Sequence, residues 1–247
     1  MGYYIVYLNE TVRGKKLKIG ILVAMEEEKK RLMEVISDEV VHEMANQTFY
    51  DGFIYGQPVT IVQAGIGKVN ATIATTLLIH TFEVDAVINT GSAGGIGEGL
   101  TIGDLVIATE LAHHDADNRA FGYTYGQIPQ MPATFLTDES LSERIEKTAQ
   151  PLDWQTKRGL IVTGDSFVAG TDQIAKIKEF FPNALVTEME GVAVAQTCHQ
   201  FDVPCAVIRA VSDTADEEAS VNFDEFVVLA GQRSAELVLS LIADRKE

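Results

Sequence analysis

The sequence is short of positive charge. Nineteen lysines and arginines stand against 36 aspartates and glutamates in 247 residues, a formal net charge of −17. A general field of that sign repels phosphate backbones and anionic headgroups, so nucleic acid and membrane surface are poor partners. A small neutral or cationic ligand suits it better. Cysteine is scarce too, with only Cys198 and Cys205. Their spacing matches no zinc or redox motif and two thiols make no disulfide framework, so both are expected as buried structural thiols. No uninterrupted apolar run reaches the ~18 residues of a membrane-spanning helix. The segment Met1 to Lys16 carries an apolar patch, Tyr3 to Leu8. Its basic residues follow that patch and no small-residue cleavage site comes after it, so it does not read as a secretory leader and a cytoplasmic location is expected.

What is present is a globular composition: 46% hydrophobic and 22% charged residues. That supports one large domain with a substantial core. No repeat, linker or low-complexity tract divides the chain. Leu17 to Val23 reads as a buried first strand, followed by a helix from Glu26 towards Ile36. Strands are expected near Gln47–Tyr55 and Pro58–Ala64, then a turn at Gly65-Ile66-Gly67-Lys68 and a helix from Val69 to Phe82. Further strands are expected at Val84–Asn89, Leu105–Thr109, Gly159–Thr163, Ala184–Val186 and Pro204–Val211. Helices are expected at Leu141–Ala149, after a Thr171-Asp172 cap, at Val192–Phe201 and at Phe223–Ala243.

Chemistry-bearing residues gather where strands end. The glycine-rich run Thr90 to Gly97 follows a strand but lacks the G-x-G-x-x-G spacing and the following helix of a dinucleotide site. It reads as a loop whose N–H groups, with Ser92, approach a small ligand closely. His113-His114-Asp115 suggests metal at first sight, but neighbouring histidines on an extended chain face opposite ways and no third ligand lies at a recognisable spacing. Glu26-Glu27-Glu28, Phe167-Val168, Glu188-Met189-Glu190 and Ser212-Asp213 complete the set. Each acid has an ordinary explanation in helix dipoles and caps. Their recurrence at one sheet edge points instead to a shared site. Several carboxylates, Arg209 and an aromatic ring suit a neutral polar ligand that becomes cationic, such as a sugar passing through an oxocarbenium-like state.

Four stretches carry a resemblance: Ile19 to Glu28, Asn89 to Gly95, Glu188-Met189-Glu190-Gly191 and Arg209 to Asp213. In order and spacing they resemble the 5′-methylthioadenosine/S-adenosylhomocysteine nucleosidases of the purine nucleoside phosphorylase-like superfamily. The resemblance runs from about Leu17 to the C-terminus and leaves residues 1–16 as an extension. It implies an α/β fold, a single-domain three-layer α/β/α arrangement with a central mixed, twisted sheet over residues 17–247. It implies hydrolysis of an N-glycosidic bond, releasing adenine and a 5-thioribose derivative, with no cofactor and no metal. By motif, Asp213 resembles the general acid that protonates adenine N7, with Ser212 supporting it. Glu28 resembles the residue that activates water; the residues alone leave Glu26, Glu27 and Glu28 equivalent. Glu190 resembles the ionised acceptor of the ribose hydroxyls. Met189 and Phe223 would flank sugar and base, Phe167 would stack on adenine, and the Val168 backbone would read its edge. Ser92 and Arg209 would sit near the water and Glu28, and Met25, Ile66, Gly94 and Glu188 would complete the pocket.

The chemistry accords with those roles. Adenine leaves poorly as an anion, and a free Asp with a pKa of ~3.9 is ionised at neutral pH, so Asp213 must be desolvated or take its proton in a closed site. The resemblance also implies a homodimer in which an aromatic loop, His114 to Gln127 with Phe121 at its tip, closes the neighbour's pocket. Asn118-Arg119 departs from the apolar or smaller residues expected there. Two other readings stand beside this one: a phosphate-dependent purine nucleoside phosphorylase and a non-catalytic nucleoside-binding protein. The candidate acid Asp213 speaks against the second.

Overall fold

The computed structural model describes residues 11–12, 15–152, 154–214 and 219–244, with the side chains of 11–12, 15 and 219–225 outside that description. The extension expected at 1–16 lies largely outside it; within it, β1 (Thr11–Val12) and β2 (Lys15–Lys16) pair as a short antiparallel ribbon. The next strand, β3 (Ile19–Val23), explains the architecture. All five residues are buried. Successive side chains on a strand face opposite ways. Accordingly Ile19, Ile21 and Val23 enter one core while Leu22 enters another on the far side. A strand with both faces covered reads as a continuous apolar run, which is how it appears in the sequence.

The elements that follow are α1 (Glu26–Met33), β4 (Ile36–Met44), β5 (Gln47–Ile54), β6 (Gln57–Gln63), α2 (Lys68–His80), β7 (Ala86–Gly95) and β8 (Leu105–His113). Then come β9 (Phe135–Leu136), α3 (Glu139–Ala149), β10 (Thr156–Thr163), α4 (Thr171–Phe180), β11 (Ala184–Glu188), α5 (Gly191–Phe201), β12 (Cys205–Asp213) and α6 (Ala219–Ala243). One ten-stranded sheet runs β11-β10-β8-β12-β7-β3-β6-β5-β4, with β9 beside β8. It is mixed: β12, β7, β3 and β6 are mutually parallel, while β8 crosses β12 antiparallel. Helices α1, α3 and α6 supply one core with their neighbours, and α2 and α5 pack together on the other face. This is the single mixed α/β domain expected from the sequence.

Several expectations need correction. The glycine-rich run is not a loop, because Thr90 to Gly95 is the second half of β7. Its end is paired twice, to Asp213 of β12 and, antiparallel, to Val186 and Thr187 of β11. That second pairing joins β7, β12, β8, β10 and β11 into a closed ring. The first helix stops at Met33, and Ile36–Met44 forms an edge strand that the sequence concealed. Almost all of β4 is exposed, so it carries no buried alternation, and a register shift between Ser37 and Val40, with Asp38 at φ 53°, breaks its pattern further. Thr171 is the first residue of α4 rather than its cap, which is Gly170. Although no continuous apolar run was found, α6 contains one stretch, Phe226–Ala243, apolar and long enough to cross a membrane; it packs on α1, α3, β7 and β12, and over half of it is buried.

The packing of α6 on α1 bears on the candidate site. A Cβ added at Gly231 would lie 2.9 Å from the Glu27 carbonyl oxygen and 3.1 Å from Glu28 Cα. Gly231→Val should therefore push the helices apart. Overpacking of this kind costs about 1–3 kcal/mol. Thermal denaturation should show a lower Tm, and an unchanged Tm would show that the interface yields freely.

Candidate active site

A cavity of about 430 Å³ opens where β3, β7, β11 and β12 end. Its walls are Ala24, Met25 and Glu28 from the β3–α1 junction, Ser92, Ala93 and Gly94 from β7, Thr187 to Glu190 from the β11–α5 junction, and Ser212 and Asp213 from β12. Ile66 and Phe167 enter from two loops. The structure thus gathers most of the residues singled out in the sequence.

The helix settles which glutamate of the triplet matters. Glu26 is exposed and pairs with Lys29 at 2.6 Å, and Glu27 is exposed. Glu28 is buried and shares the inward face of α1 with Leu32, four residues on. Its Oε2 accepts the N–H groups of Ala24 at 2.9 Å and Met25 at 3.2 Å, the reach-back of a residue at the third helical position. Its Oε1 accepts the Ser92 N–H and hydroxyl, both at 3.0 Å. A Cβ on Gly91 would stand 2.6 Å from Oε1, so glycine there makes room for the carboxylate.

Across the cavity, Ser212 Oγ lies 2.8 Å from Asp213 Oδ2 and 3.3 Å from the Ala93 carbonyl oxygen. A hydroxyl has one hydrogen and two lone pairs. Turned to Asp213, Ser212 supports a carboxylate; turned to Ala93, it offers a lone pair to a protonated Asp213. Both residues are essentially fully buried.

Arg209 and Glu188 behave differently from the expectation. Arg209 is 1% exposed and does not line the cavity. Its guanidinium binds Glu188, donates to Asn89 Oδ1 at 2.6 Å and lies 3.8 Å from Glu190 Oε2. Glu188 borders the cavity, but its oxygens also accept from the Thr163 hydroxyl and from the N–H groups of Glu190 at 2.9 Å and Gly191 at 2.7 Å. Burial pushes the Glu188 carboxyl up, yet the Arg209 charge and these hydrogen bonds outweigh burial and hold it below the usual range. Arg209 is therefore held behind the cavity wall, while Glu188 both anchors it and borders the cavity.

Glu190 takes the opposite course. Burial first, then the charge of Glu188, push its carboxyl up to about 8, against the pull of Arg209 and of the Gly67 N–H, which donates to Oε1 at 2.8 Å. Burial and the neighbouring charge of Glu188 thus favour a proton on the carboxyl that the sequence suggests as an ionised acceptor.

Other expected residues fall outside the walls. Val168 is buried next to Phe167 but is not part of the lining. Phe223 lies in α6 where side chains are outside the described residues. Phe121 is 80% exposed on a 3-10 turn and lies outside this cavity. Asn118 and Arg119 brace that turn: Asn118 donates to the Gln127 carbonyl at 2.9 Å, and Arg119 pairs with Asp117 at 2.8 Å over the rings of Tyr125 and Phe180. His113 Nε2 lies 2.9 Å from Gln196 Oε1, and burial lowers both His113 and His114. Sequence reasoning missed Thr163, Asn89, Gly67 and Gly91, which act through backbone groups or as partners of partners. The Gly65–Lys68 turn and the stretch Asn89 to Gly95 carried a signal for three of them, whereas Thr163 offered none beyond ending a strand.

Glu190 makes a stability prediction. Folded, its carboxyl holds a proton up to about 8, against an ordinary 4.5. Between those values the unfolded chain binds fewer protons, so this contribution is intact below the lower value and lost as pH rises through the upper one. Glu190→Gln does not titrate. Its Tm relative to the parent should climb as pH rises from about 5 to about 8, and a flat difference would contradict the shift.

The family described as the phosphorylase superfamily matches residues 18–243. A 5′-methylthioadenosine/S-adenosylhomocysteine nucleosidase from Actinobacillus succinogenes is 47% identical over 228 residues, covering 92% of this chain and 99% of the relative. One from Staphylococcus aureus is 48% identical over 225 residues, covering 91% and 99%. Among solved structures, the nucleosidase of that name from Neisseria meningitidis, in complex with methylthio-immucillin-A, superposes with a TM-score of 0.90 at 44% identity, over 92% of this chain and 99% of the other.

Proposed function

The chain belongs to the 5′-methylthioadenosine/S-adenosylhomocysteine nucleosidases of the phosphorylase superfamily, and from that premise we propose how its pocket divides the work of hydrolysis. It is an N-glycosyl hydrolase that cleaves 5′-methylthioadenosine and S-adenosylhomocysteine, releasing adenine and the thioribose product. The observation that carries the division of labour is the placing of two carboxyls along β7. Ser92 holds Glu28, and Gly94, two residues on, is the register partner of Asp213. Two residues of strand span about 6.6–6.8 Å. That leaves room for a scissile bond and an attacking water between an acid and a base.

Asp213 protonates N7 of adenine as the N9–C1′ bond breaks, with Ser212 able to follow the change of charge. Water adds to C1′ from the other side and gives its proton to Glu28, whose orientation is fixed by four donors. Glu190 receives the ribose hydroxyls. Positive charge growing on the sugar strengthens the contact with the Glu190 carboxyl oxygens towards the transition state. Phe167 at the mouth, Met189 and Ile66 offer apolar surface to base, sugar and thioalkyl group.

Electrostatics disfavour the phosphorylase alternative. A phosphate dianion beside C1′ would face Glu28, and two like charges at 4 Å in an effective dielectric of ~20 repel by about 4 kcal/mol. Arg209, which lies against Glu188 and Glu190, is already bound to Glu188 and Asn89. Water meets no such penalty. We also infer a second copy of the chain: an aromatic ring as exposed as Phe121, outside its own cavity, suits the pocket edge of a neighbour.

Initial rates in phosphate-free buffer should equal those with phosphate, with free thioribose as the sugar product. A strict phosphate requirement and a sugar 1-phosphate would overturn hydrolysis. Asp213→Asn should fold and bind adenine yet lose roughly 10²–10⁴-fold in turnover, the usual contribution of a general acid. Near-normal turnover in that variant would assign the proton to another group.

A further inference from the structure

Two loops that frame the cavity meet a third segment at one cluster of charge. Lys68 Nζ lies 2.7 and 2.8 Å from the two Asp115 oxygens and 3.9 Å from Asp165 Oδ2. Asp165 Oδ1 accepts the Lys68 N–H at 2.8 Å, and the Asp165 N–H donates to Asp115 Oδ2 at 2.9 Å. Each residue heads a different segment. Lys68 opens α2, Asp115 follows β8, and Asp165 follows β10.

What lies next to the cluster gives it meaning. One residue before Lys68, the Gly67 N–H reaches Glu190 Oε1 at 2.8 Å. Gly67 has φ 101°, and a Cβ there would stand 3.2 Å from Asp165 Oδ1. Ile66 and Phe167, each two residues from a member of the cluster, are the two loop residues in the cavity wall. The side chains of Lys68, Asp115 and Asp165 are 20%, 29% and 51% exposed. Ion pairs so open to solvent contribute little to stability. Their bonds to backbone N–H groups, however, fix two turns relative to each other.

We propose that Lys68, Asp115 and Asp165 are positioning residues for the hydrolysis: they lock the turn that presents Gly67 N–H to Glu190 against the turn that presents Phe167 to the base. This rests on the nucleosidase reading above. None of the three touches substrate; they act through Gly67, Ile66 and Phe167.

The key comparison is Asp165→Ala against Asp165→Asn, because the asparagine keeps a side-chain oxygen for the Lys68 N–H. Loss of a charge-assisted hydrogen bond that holds a binding wall should raise KM for methylthioadenosine about tenfold in the alanine variant. The asparagine should stay within about twofold of the parent. Lys68→Met and Asp115→Asn should each raise KM in the same direction, and the double variant should lose no more than the worse single, as members of one unit do. Melting temperatures should be nearly level throughout, unlike those of a purely structural cluster. Calorimetric adenine binding to the parent and to Asp165→Ala reads the clamp without turnover. If the parent fails to hydrolyse the nucleoside, the nucleosidase reading falls, whereas roughly tenfold weaker adenine binding in Asp165→Ala still supports the clamp. Parental KM and adenine affinity in Asp165→Ala would overturn it, as would an equal loss in Asp165→Asn.

Discussion

The site depends on one buried ion pair. Arg209 of β12 and Glu188 of β11 meet, both nearly fully buried, on the two strands that flank the end of β7. Removing one partner of such a pair leaves a buried charge uncompensated, typically at about 3–5 kcal/mol. The structure surrounds both groups with further partners: Asn89 for the guanidinium, Thr163 and two backbone N–H groups for the carboxylate. Thr163 in turn accepts the Val192 N–H at 2.9 Å, which ties the start of α5 into the same network. Because Glu188 takes most of what Arg209 can give, Glu190 is left undersupplied. Burial and the charge of Glu188 raise the Glu190 carboxyl while Arg209 and its hydrogen bonds hold Glu188 low, so two glutamates two residues apart differ in their hold on a proton.

That inequality divides the site into a fixed part and a responsive part. Glu28 and Glu188 are saturated by donors. Glu190 holds one backbone bond and a distant guanidinium, and Asp213 shares a hydroxyl that can point two ways. Preorganised groups stabilise charge without reorganising, and groups with adjustable protonation carry the proton traffic. Strand β7 aligns both kinds: Ser92 binds Glu28, Gly94 is the register partner of Asp213, and Val186 and Thr187, just before Glu188, pair with its end.

Much of this was legible in the sequence. The apolar run Ile19–Val23 announced a doubly covered strand, and the recurrence of acids at strand ends announced a shared edge. Glu28 was not separable from Glu26 and Glu27 until the turn of α1 was seen, since the choice rests on which face meets Leu32. β4 escaped because an exposed edge strand has no apolar alternation to read. The glycine-rich stretch misled for a physical reason: glycines at Gly91 and Gly95 serve close approach, of Glu28 Oε1 and of Val211, within a strand rather than flexibility in a loop. Arg209 suits a substrate ligand by type and position; only its burial and its bonds to Glu188 and Asn89 reveal a scaffold.

The antiparallel pairing of Gly94 and Gly95 with Thr187 and Val186 joins strands that are far apart along the chain. Loop-closure entropy must be overcome before such contacts reward it, so each pairing of this kind leans on the others around the ring. While that seam is open, Glu188 and Glu190 have no fixed place beside Ser92 and Asp213. A chain whose ring is unclosed holds the residues of the pocket without their arrangement.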